Sequence, residues 1–494
     1  MTPRRILFVV SEMAPWIKTG GLGDVAGALP VALSRLGCEV KVLMPAYADA
    51  LKRLGHTQPV EPFIPPAGLS QTRLLTPQEA PDGPELWLLD APGFSDRSGN
   101  PYVNEFNQEW PDNAMRFQRL ALVGAAITAG QAGLTWRPEV VHCHDWQTGL
   151  LPLHAMLHRV PIPSIFTIHN LEYRGLFAPD VLGQLGLPSW LYHPDALEFY
   201  GHVSFIKGGL LFADRLTTVS PTYADEICTP EGGCGLDGLL RLRRDRLHGI
   251  LNGIDHRVWD PAHDAHLPAT YNVHDLLGKA TCKRVLQESM GLTVDPGVPL
   301  IGVVSRLIPQ KGIDLILQAL PRLLELPAQL VVLGQGDPAL EQGLREAAAL
   351  WPQRLAVQLT FSEMLAHRIE AGSDMFLMPS RFEPCGLNQL YSLRYGTIPI
   401  VRRSGGLADT VVDANAATLQ TGSATGIVFD MPTADALAEA VQRAVQLYHD
   451  YHLWGELMWR AMSQDFSWER SAHDYLAVYE QAILDRAQEW NNPS

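Results

Sequence analysis

Two series of short apolar runs, each interleaved with helical patterns, constrain the fold of this chain more than any other feature. Residues 6–10, 39–44, 140–142, 165–168 and 216–219 are short, apolar and bounded by turn residues, as strands buried on both faces of a parallel sheet are. Amphipathic or alanine-rich stretches such as Asn113–Ala129 lie between them. A second series, at 300–304, 330–333, 375–378 and 398–401, alternates with helical patterns at 313–326, 339–350 and 434–448. Strands alternating with helices of that length build βαβ units, so the rhythm predicts an α/β protein of two doubly wound domains. The halves echo one another, since Val9-Val10-Ser11 precedes Pro15 and Lys18 while Val303-Val304-Ser305 precedes Pro309 and Lys311. Asn252-Gly253-Ile254-Asp255 is turn chemistry, and the polar, proline-containing stretch 256–271 reads as a surface connection. The expected domains are therefore 1–255 and 256–470. Residues 471–494 carry Tyr475, Leu476, Val478, Tyr479 and Ile483 in helical register, the pattern of a helix returning to the first domain.

The chain is long enough for that arrangement. Its 494 residues, 46% of them hydrophobic, suffice for two ordinary cores, and 42 glycines and 37 prolines punctuate many short elements. A formal net charge of −15 repels nucleic acid and anionic membranes, so neither is expected as a partner and an anionic ligand needs a local cationic pocket. Cys38, Cys143, Cys228, Cys234, Cys282 and Cys385 are scattered without a C-x-x-C pair and suit a reducing cytoplasm better than a disulfide framework. Arg4 and Arg5 lead straight into a short strand, and no apolar run approaches the roughly 18 residues of a membrane helix. The expectation is a soluble cytoplasmic protein.

Open parallel sheets bind ligands beyond the carboxyl ends of their strands, which directs attention to the loops after each apolar run. One loop after the first run comes Lys18-Thr19-Gly20-Gly21-Leu22-Gly23-Asp24, whose glycines let backbone N–H groups approach a phosphate while Lys18 supplies charge. The spacing is neither the dinucleotide fingerprint nor a Walker loop, and plain turn geometry is the alternative reading. His142-Cys143-His144-Asp145-Trp146 follows the third run. Adjacent residues on a strand face opposite sides, so these do not converge on a metal and none is expected. His169-Asn170 follows the fourth run, with His169 either a satisfied core histidine or a ligand group. In the second half, Ser305-Arg306 and Lys311-Gly312 place two cations one loop apart at a helix start, suited to a diphosphate or to a solvated basic turn. Ser380-Arg381-Phe382-Glu383-Pro384-Cys385-Gly386-Leu387-Asn388 puts a carboxylate before another helix start. There the amides of Gly386 to Asn388 can hold phosphate oxygens, and Glu383 either accepts sugar hydroxyls or caps the helix.

These blocks, together with Arg402-Arg403-Ser404-Gly405-Gly406-Leu407-Ala408-Asp409, Gly99-Asn100-Pro101-Tyr102 and Thr218-Val219-Ser220-Pro221-Thr222-Tyr223, resemble bacterial glycogen synthases and plant starch synthases, in the same order along nearly the whole chain. The resemblance implies a glycosyltransferase-B architecture, two Rossmann-like domains facing a central cleft that closes on its substrates. It implies transfer of glucose from ADP-glucose to the non-reducing end of an α-1,4-glucan with retention of anomeric configuration and without a cofactor. Carried over by position, it gives the first domain the acceptor side and the second the nucleotide sugar. Lys18 and the amides of Gly20 and Gly21 fall to the sugar diphosphate, and Asp24 to loop support or the acceptor. Arg306 and Lys311 neutralise the departing diphosphate, His169 meets the donor glucose, Glu383 binds its hydroxyls, and the amides of Cys385 to Asn388 complete the anion site. Asp145, Asn170 and Asn252 line the cleft. Glu383 is also the position for a carboxylate nucleophile, with front-face substitution the open alternative.

Two departures from the family pattern bear on these transfers. Gln147 replaces the usual histidine after Asp145-Trp146, and Phe361 replaces a tyrosine that packs on adenine. A phenyl ring still stacks on a base, but the missing hydroxyl keeps UDP-glucose open as donor. A glucan phosphorylase shares the architecture, but no lysine here has the context of a pyridoxal phosphate site. A non-catalytic glucan-binding homologue is the remaining alternative, against which Lys18, His169, Arg306, Lys311 and Glu383 are all present.

Overall fold

A computed structural model describes residues 4–79 and 83–491. The chain divides into two compact units, one of Met1–Val219, Ala224–Ile250 and Trp468–Ser494, the other of Ser220–Tyr223 and Leu251–Ser467.

The first unit is built on a nine-stranded sheet. In chain order its strands are β1 (Arg5–Val9), β2 (Glu39–Pro45), β3 (Thr57–Pro59), β4 (Arg73–Pro77), β5 (Glu85–Asp90), β6 (Val140–His144) and β7 (Ser164–Ile168). A separate three-stranded sheet holds β8 (Leu176–Phe177), β9 (Glu198–Phe199) and β10 (His202–Ser204), after which β11 (Arg215–Thr218) and β12 (Leu247–Gly249) rejoin the large sheet. Its order is β12-β11-β7-β6-β1-β2-β5-β4-β3, parallel throughout except at the β5-β4-β3 edge. Ile6 to Val9 of β1 are fully buried, as strands covered by helices on both faces must be. The chain leaves β1 for β2 on one side and later returns to its other side as β6, which makes the carboxyl ends of β1 and β6 the topological switch point.

Helix Trp468–Asn491 belongs to this unit and packs on helix Gly21–Arg35. Tyr475 and Tyr479 are fully buried, and the Tyr479 hydroxyl lies 2.8 Å from His142 Nδ1. Asp485 pairs with Arg215, and Arg486 pairs with Asp214 at 2.8 Å.

The second unit has six parallel strands, β13 (Leu300–Val304), β14 (Gln329–Leu333), β15 (Leu355–Gln358), β16 (Met375–Met378), β17 (Ile398–Arg402) and β18 (Ile427–Phe429). Their order is β15-β14-β13-β16-β17-β18, so the direction of winding reverses between β13 and β16. Helix Ile313–Glu325 buries Ile316, Leu320, Leu323 and Leu324 against the sheet and helix Ala434–Tyr448, each large apolar side chain contributing roughly 1.5–3 kcal/mol. Both units thus have the doubly wound parallel architecture that the two series of apolar runs predict. β3 and the small sheet lie outside that expectation because their strands of two or three residues are too short to show a period; β4 and β5, of five and six residues, lie outside it as well.

Candidate active site

In the second unit, Arg306 follows β13 and Glu383 follows β16, the two strands at the reversal. A cavity of about 180 Å³ opens there, lined by Arg306, Lys311, Ser380, Glu383, Gly386 and Asn388 among others. Lys311 Nζ lies 2.6 Å from Glu383 Oε2, which also accepts from Ser380 Oγ at 2.9 Å, and the carboxylate is buried. Gly312, directly after Lys311, has φ +71°, and a Cβ there would stand 2.3 Å from the Pro379 carbonyl. Only glycine allows the Lys311 turn to press this closely on the end of β16. Arg381 ties the same turn down, with two hydrogen bonds of 2.7 Å to Asp314.

The Glu383 loop is held from behind. Gly406 N donates to the carbonyls of Glu383 and Pro384 at 3.1 Å, and buried Ser220 donates its hydroxyl to Pro384 O at 2.7 Å. Gly405 has φ +40° and would place a Cβ 2.0 Å from Glu383 O. Helix Asn388–Tyr395 begins at the cavity, where Asn388 Nδ2 donates to Val304 O at 2.6 Å. The unit therefore gathers two cations, a buried carboxylate and a helix N-terminus in one pocket, a combination able to bind an anion and a polyhydroxylated ligand together.

Other expected residues of this unit stand elsewhere. Cys385 is buried, its thiol pushed up to about 12 by burial, and the Asn252 backbone N–H is hydrogen-bonded to it. Its side chain is absent from the cavity lining, as are Asn252, which is buried behind it, and Phe361, which is 79% exposed after β15. Leu387 lines the cavity.

In the first unit, Gly20 is extended and Gly21 opens helix Gly21–Arg35, with Lys18 Nζ 2.7 Å from Asp24 Oδ1. Beneath this loop is Glu12, accepting from Thr19 N at 2.7 Å, Thr19 Oγ1 at 2.6 Å and Gly23 N at 3.2 Å. Burial raises its carboxyl to about 7 despite those bonds. Asp145, after β6, has φ +53° and accepts the His169 backbone N–H at 2.7 Å; burial raises it too to about 7, against hydrogen bonds from the His169 and Asn170 amides. His169 Nε2 lies 3.0 Å from His144 Nδ1, and burial lowers the His169 imidazole to about 3.

Sequence reasoning missed Glu12, Ser380, Ser220 and the bracing role of Gly405 and Gly406. For Glu12 and Ser380 a signal existed, since each follows a strand at the switch point. Ser220, Gly405 and Gly406 act through close approach to a loop distant in sequence, which no local pattern records.

A family model described as the starch synthase catalytic domain matches residues 5–242, and one described as glycosyl transferases group 1 matches residues 289–456. The glycogen synthase of Thioalkalivibrio sulfidiphilus is 51% identical over 481 residues, covering 97% of this chain and 100% of the relative. Glycogen synthase 1 of Methylococcus capsulatus is 52% identical over 481 residues, covering 97% of each chain. The chain is similar to the catalytic domain of starch synthase IV from Arabidopsis thaliana, solved bound to ADP and acarbose, with a TM-score of 0.87, 33% identity and coverage of 97% of this chain and 99% of that one. A sucrose-phosphate synthase from Thermosynechococcus elongatus shares the fold, with a TM-score of 0.59 at 16% identity, covering 98% of this chain and 100% of that one.

Two parallel doubly wound units that match these models and structures define a glycosyltransferase of the GT-B fold. Within that class the chain belongs to the glycogen synthase family, which it matches over nearly its whole length.

Proposed function

We propose that the protein transfers glucose from ADP-glucose to the non-reducing end of an α-1,4-glucan, with retention of configuration. The observation that carries this reading is the pocket at the ends of β13 and β16, where Arg306, the Lys311–Glu383 pair and the start of helix Asn388–Tyr395 line one cavity. As the bond between glucose and ADP breaks, negative charge grows on the β-phosphate and positive character on the sugar, and fixed cations at the leaving oxygens favour that state over the ground state. Arg306 and Lys311 supply them, each contact near 4 Å worth about 4 kcal/mol at an effective dielectric of 20 before desolvation is subtracted. Glu383 accepts hydroxyls of the donor glucose, and the amides at Gly386 to Asn388 complete the diphosphate site. Residues 256–470 serve the nucleotide sugar. Residues 1–255 serve the acceptor, with the Lys18 loop and His169 contributing to the donor phosphate and glucose. Six free thiols fit a reducing compartment, and we place the reaction in the cytoplasm.

The test is incubation with ADP-glucose and glycogen, following ADP release together with chain elongation. Elongation with matched ADP release is expected; glucan binding without glucose incorporation overturns the proposal. Phe361 lacks the hydroxyl of its family counterpart, so the same assay with ADP-glucose and UDP-glucose in competition decides the base, with preference for ADP-glucose expected.

A further inference from the structure

The ring of His169 is held by a neighbour that neither the family resemblance nor the transfer chemistry assigns. β6 and β7 run parallel with His144 opposite Thr167, so the chain leaving β7 brings His169 beside the end of β6. Two consecutive residues there grip it differently. Asp145 accepts the His169 backbone N–H at 2.7 Å, and His144 Nδ1 meets the ring at Nε2, 3.0 Å away. The His144 ring is itself fixed, with centroids 4.2 Å from Phe8 and 4.1 Å from His142. His142 is anchored at both nitrogens, Nε2 lying 2.6 Å from Thr167 Oγ1 and Nδ1 2.8 Å from the Tyr479 hydroxyl.

Burial keeps both His144 and His169 neutral, His144 well below its ordinary range and His169 at about 3. Between two neutral imidazoles one nitrogen donates and the other accepts. Were His169 the donor, the single proton of His144 would sit on Nε2, which is buried without a hydrogen-bond partner among the described residues. A buried N–H without a partner is rarer in folded proteins than a buried acceptor left unmet. The opposite polarity leaves only a lone pair at that atom.

We infer that His144 is a positioning residue that donates Nδ1–H to His169 Nε2, so that His169 carries its own proton on Nδ1 and offers an N–H, never a lone pair, to its ligand. Its partner is then an acceptor oxygen of a neutral or anionic group. On the functional reading above, on which this consequence rests, that oxygen belongs to the donor glucose or the acceptor hydroxyl. His144 thus sets the polarity of the contact without touching the sugar.

The test is a long-range 1H–15N spectrum of the full chain labelled at histidine nitrogen, with His169 assigned by comparison with His169→Gln. A single His169 tautomer, protonated at Nδ1 and bare at Nε2, is expected in the substrate-free protein; a proton on Nε2 overturns the inference. In His144→Leu the His169 signals should lose that tautomer, and kcat should fall roughly 10-fold or more while KM for glucan moves little. His144→Asn, whose amide N–H can stand where Nδ1–H stood, should restore both the spectrum and most of kcat. Equal His169 spectra in the Leu and Asn variants also overturn the inference. The spectrum is read without substrate, so a wrong tautomer and an absence of glucosyl transfer remain separate failures.

Discussion

Lys311 and Glu383 are separated by 72 residues in sequence and by 2.6 Å in space, and pair with one another. On the proposed reading a diphosphate would share Lys311 with Glu383, so removing the cation would cost twice: the leaving group would lose a stabilising charge and a buried carboxylate its partner. Lys311→Ala and Arg306→Ala are each expected to lower kcat by roughly 10²-fold or more, measured by steady-state ADP release. Near-normal kcat in both purified variants would remove these residues from the transition state. Glu12 gives a prediction of another kind. Its ordinary value of 4.5 rises to about 7 on folding because burial disfavours the carboxylate, so between those values the folded chain holds a proton that the unfolded chain releases. Its contribution to stability is complete below about pH 4.5 and is lost as pH rises through about 7. The hydrogen bonds lost in Glu12→Gln shift the curve by an amount independent of pH, whereas titration shapes it. The stability of the parent minus that of Glu12→Gln should therefore fall by about 3 kcal/mol between about pH 5 and about pH 8, from urea unfolding at each pH. Relief of Asp145, which the Glu12 charge pushes upward, acts in the same direction. A flat difference curve contradicts the burial of an ionisable Glu12.

At the scale of elements, the pocket depends on turns set against strand ends. Gly312 and Gly405 both have positive φ, and at both a Cβ would fall within 2.3 Å of a backbone carbonyl, of Pro379 and of Glu383 respectively. Backbone cannot yield as a flexible side chain can, so Gly312→Ala and Gly405→Ala are each expected to cost about 1–3 kcal/mol from strain at the left-handed φ, with more from the clash. The urea midpoint measures this, and each variant should lose activity beyond its loss of stability because Lys311 or Glu383 moves. Unchanged midpoints would mean that the loops have room to spare. The repeating strands and helices behind these turns were legible: the run at 375–378 is β16 residue for residue, and Asn113–Ala129 and Ala434–Tyr448 are helices with those same limits. They were legible because burial on a parallel sheet imposes an apolar run and burial on one helix face imposes a period, and both are local. Arg306, Lys311 and Glu383 could be singled out because each follows such a run. The bracing of the Glu383 loop by Gly405, Gly406 and Ser220 could not, since a glycine fitted to a distant carbonyl looks in sequence like any other turn glycine. Phe361 is assigned by family position alone, and its ring is exposed.

Across the whole molecule, the first unit is assembled from three separate segments, the last of which is the C-terminal helix Trp468–Asn491. That helix places Trp468, Tyr475, Val478 and Tyr479 in the interior and adds the Asp485–Arg215 and Arg486–Asp214 pairs. Asp214 also accepts the Ser164 backbone N–H at 2.7 Å, so the arginine charge near it supports the start of β7. Each large side chain withdrawn from water contributes roughly 1.5–3 kcal/mol, and their sum is comparable with the 5–15 kcal/mol by which whole domains are typically stable. A chain ending at residue 467 should therefore fail to hold the first unit in its native state, although the strand order of that unit is complete without the helix. Hydrogen exchange separates the consequences: protection should collapse in β6, β7 and β11, next to the lost helix, and persist in β13, β14 and β16, whose core contains none of its residues. Tyr479→Phe in the full chain is the milder companion, removing only the hydroxyl that meets His142 Nδ1, and should cost about 1 kcal/mol in thermal unfolding with the β6 exchange pattern preserved. If the truncated chain kept full protection in β6 and β11, the helix would be an appendage to the sheet, and the first unit would fold from its two earlier segments alone.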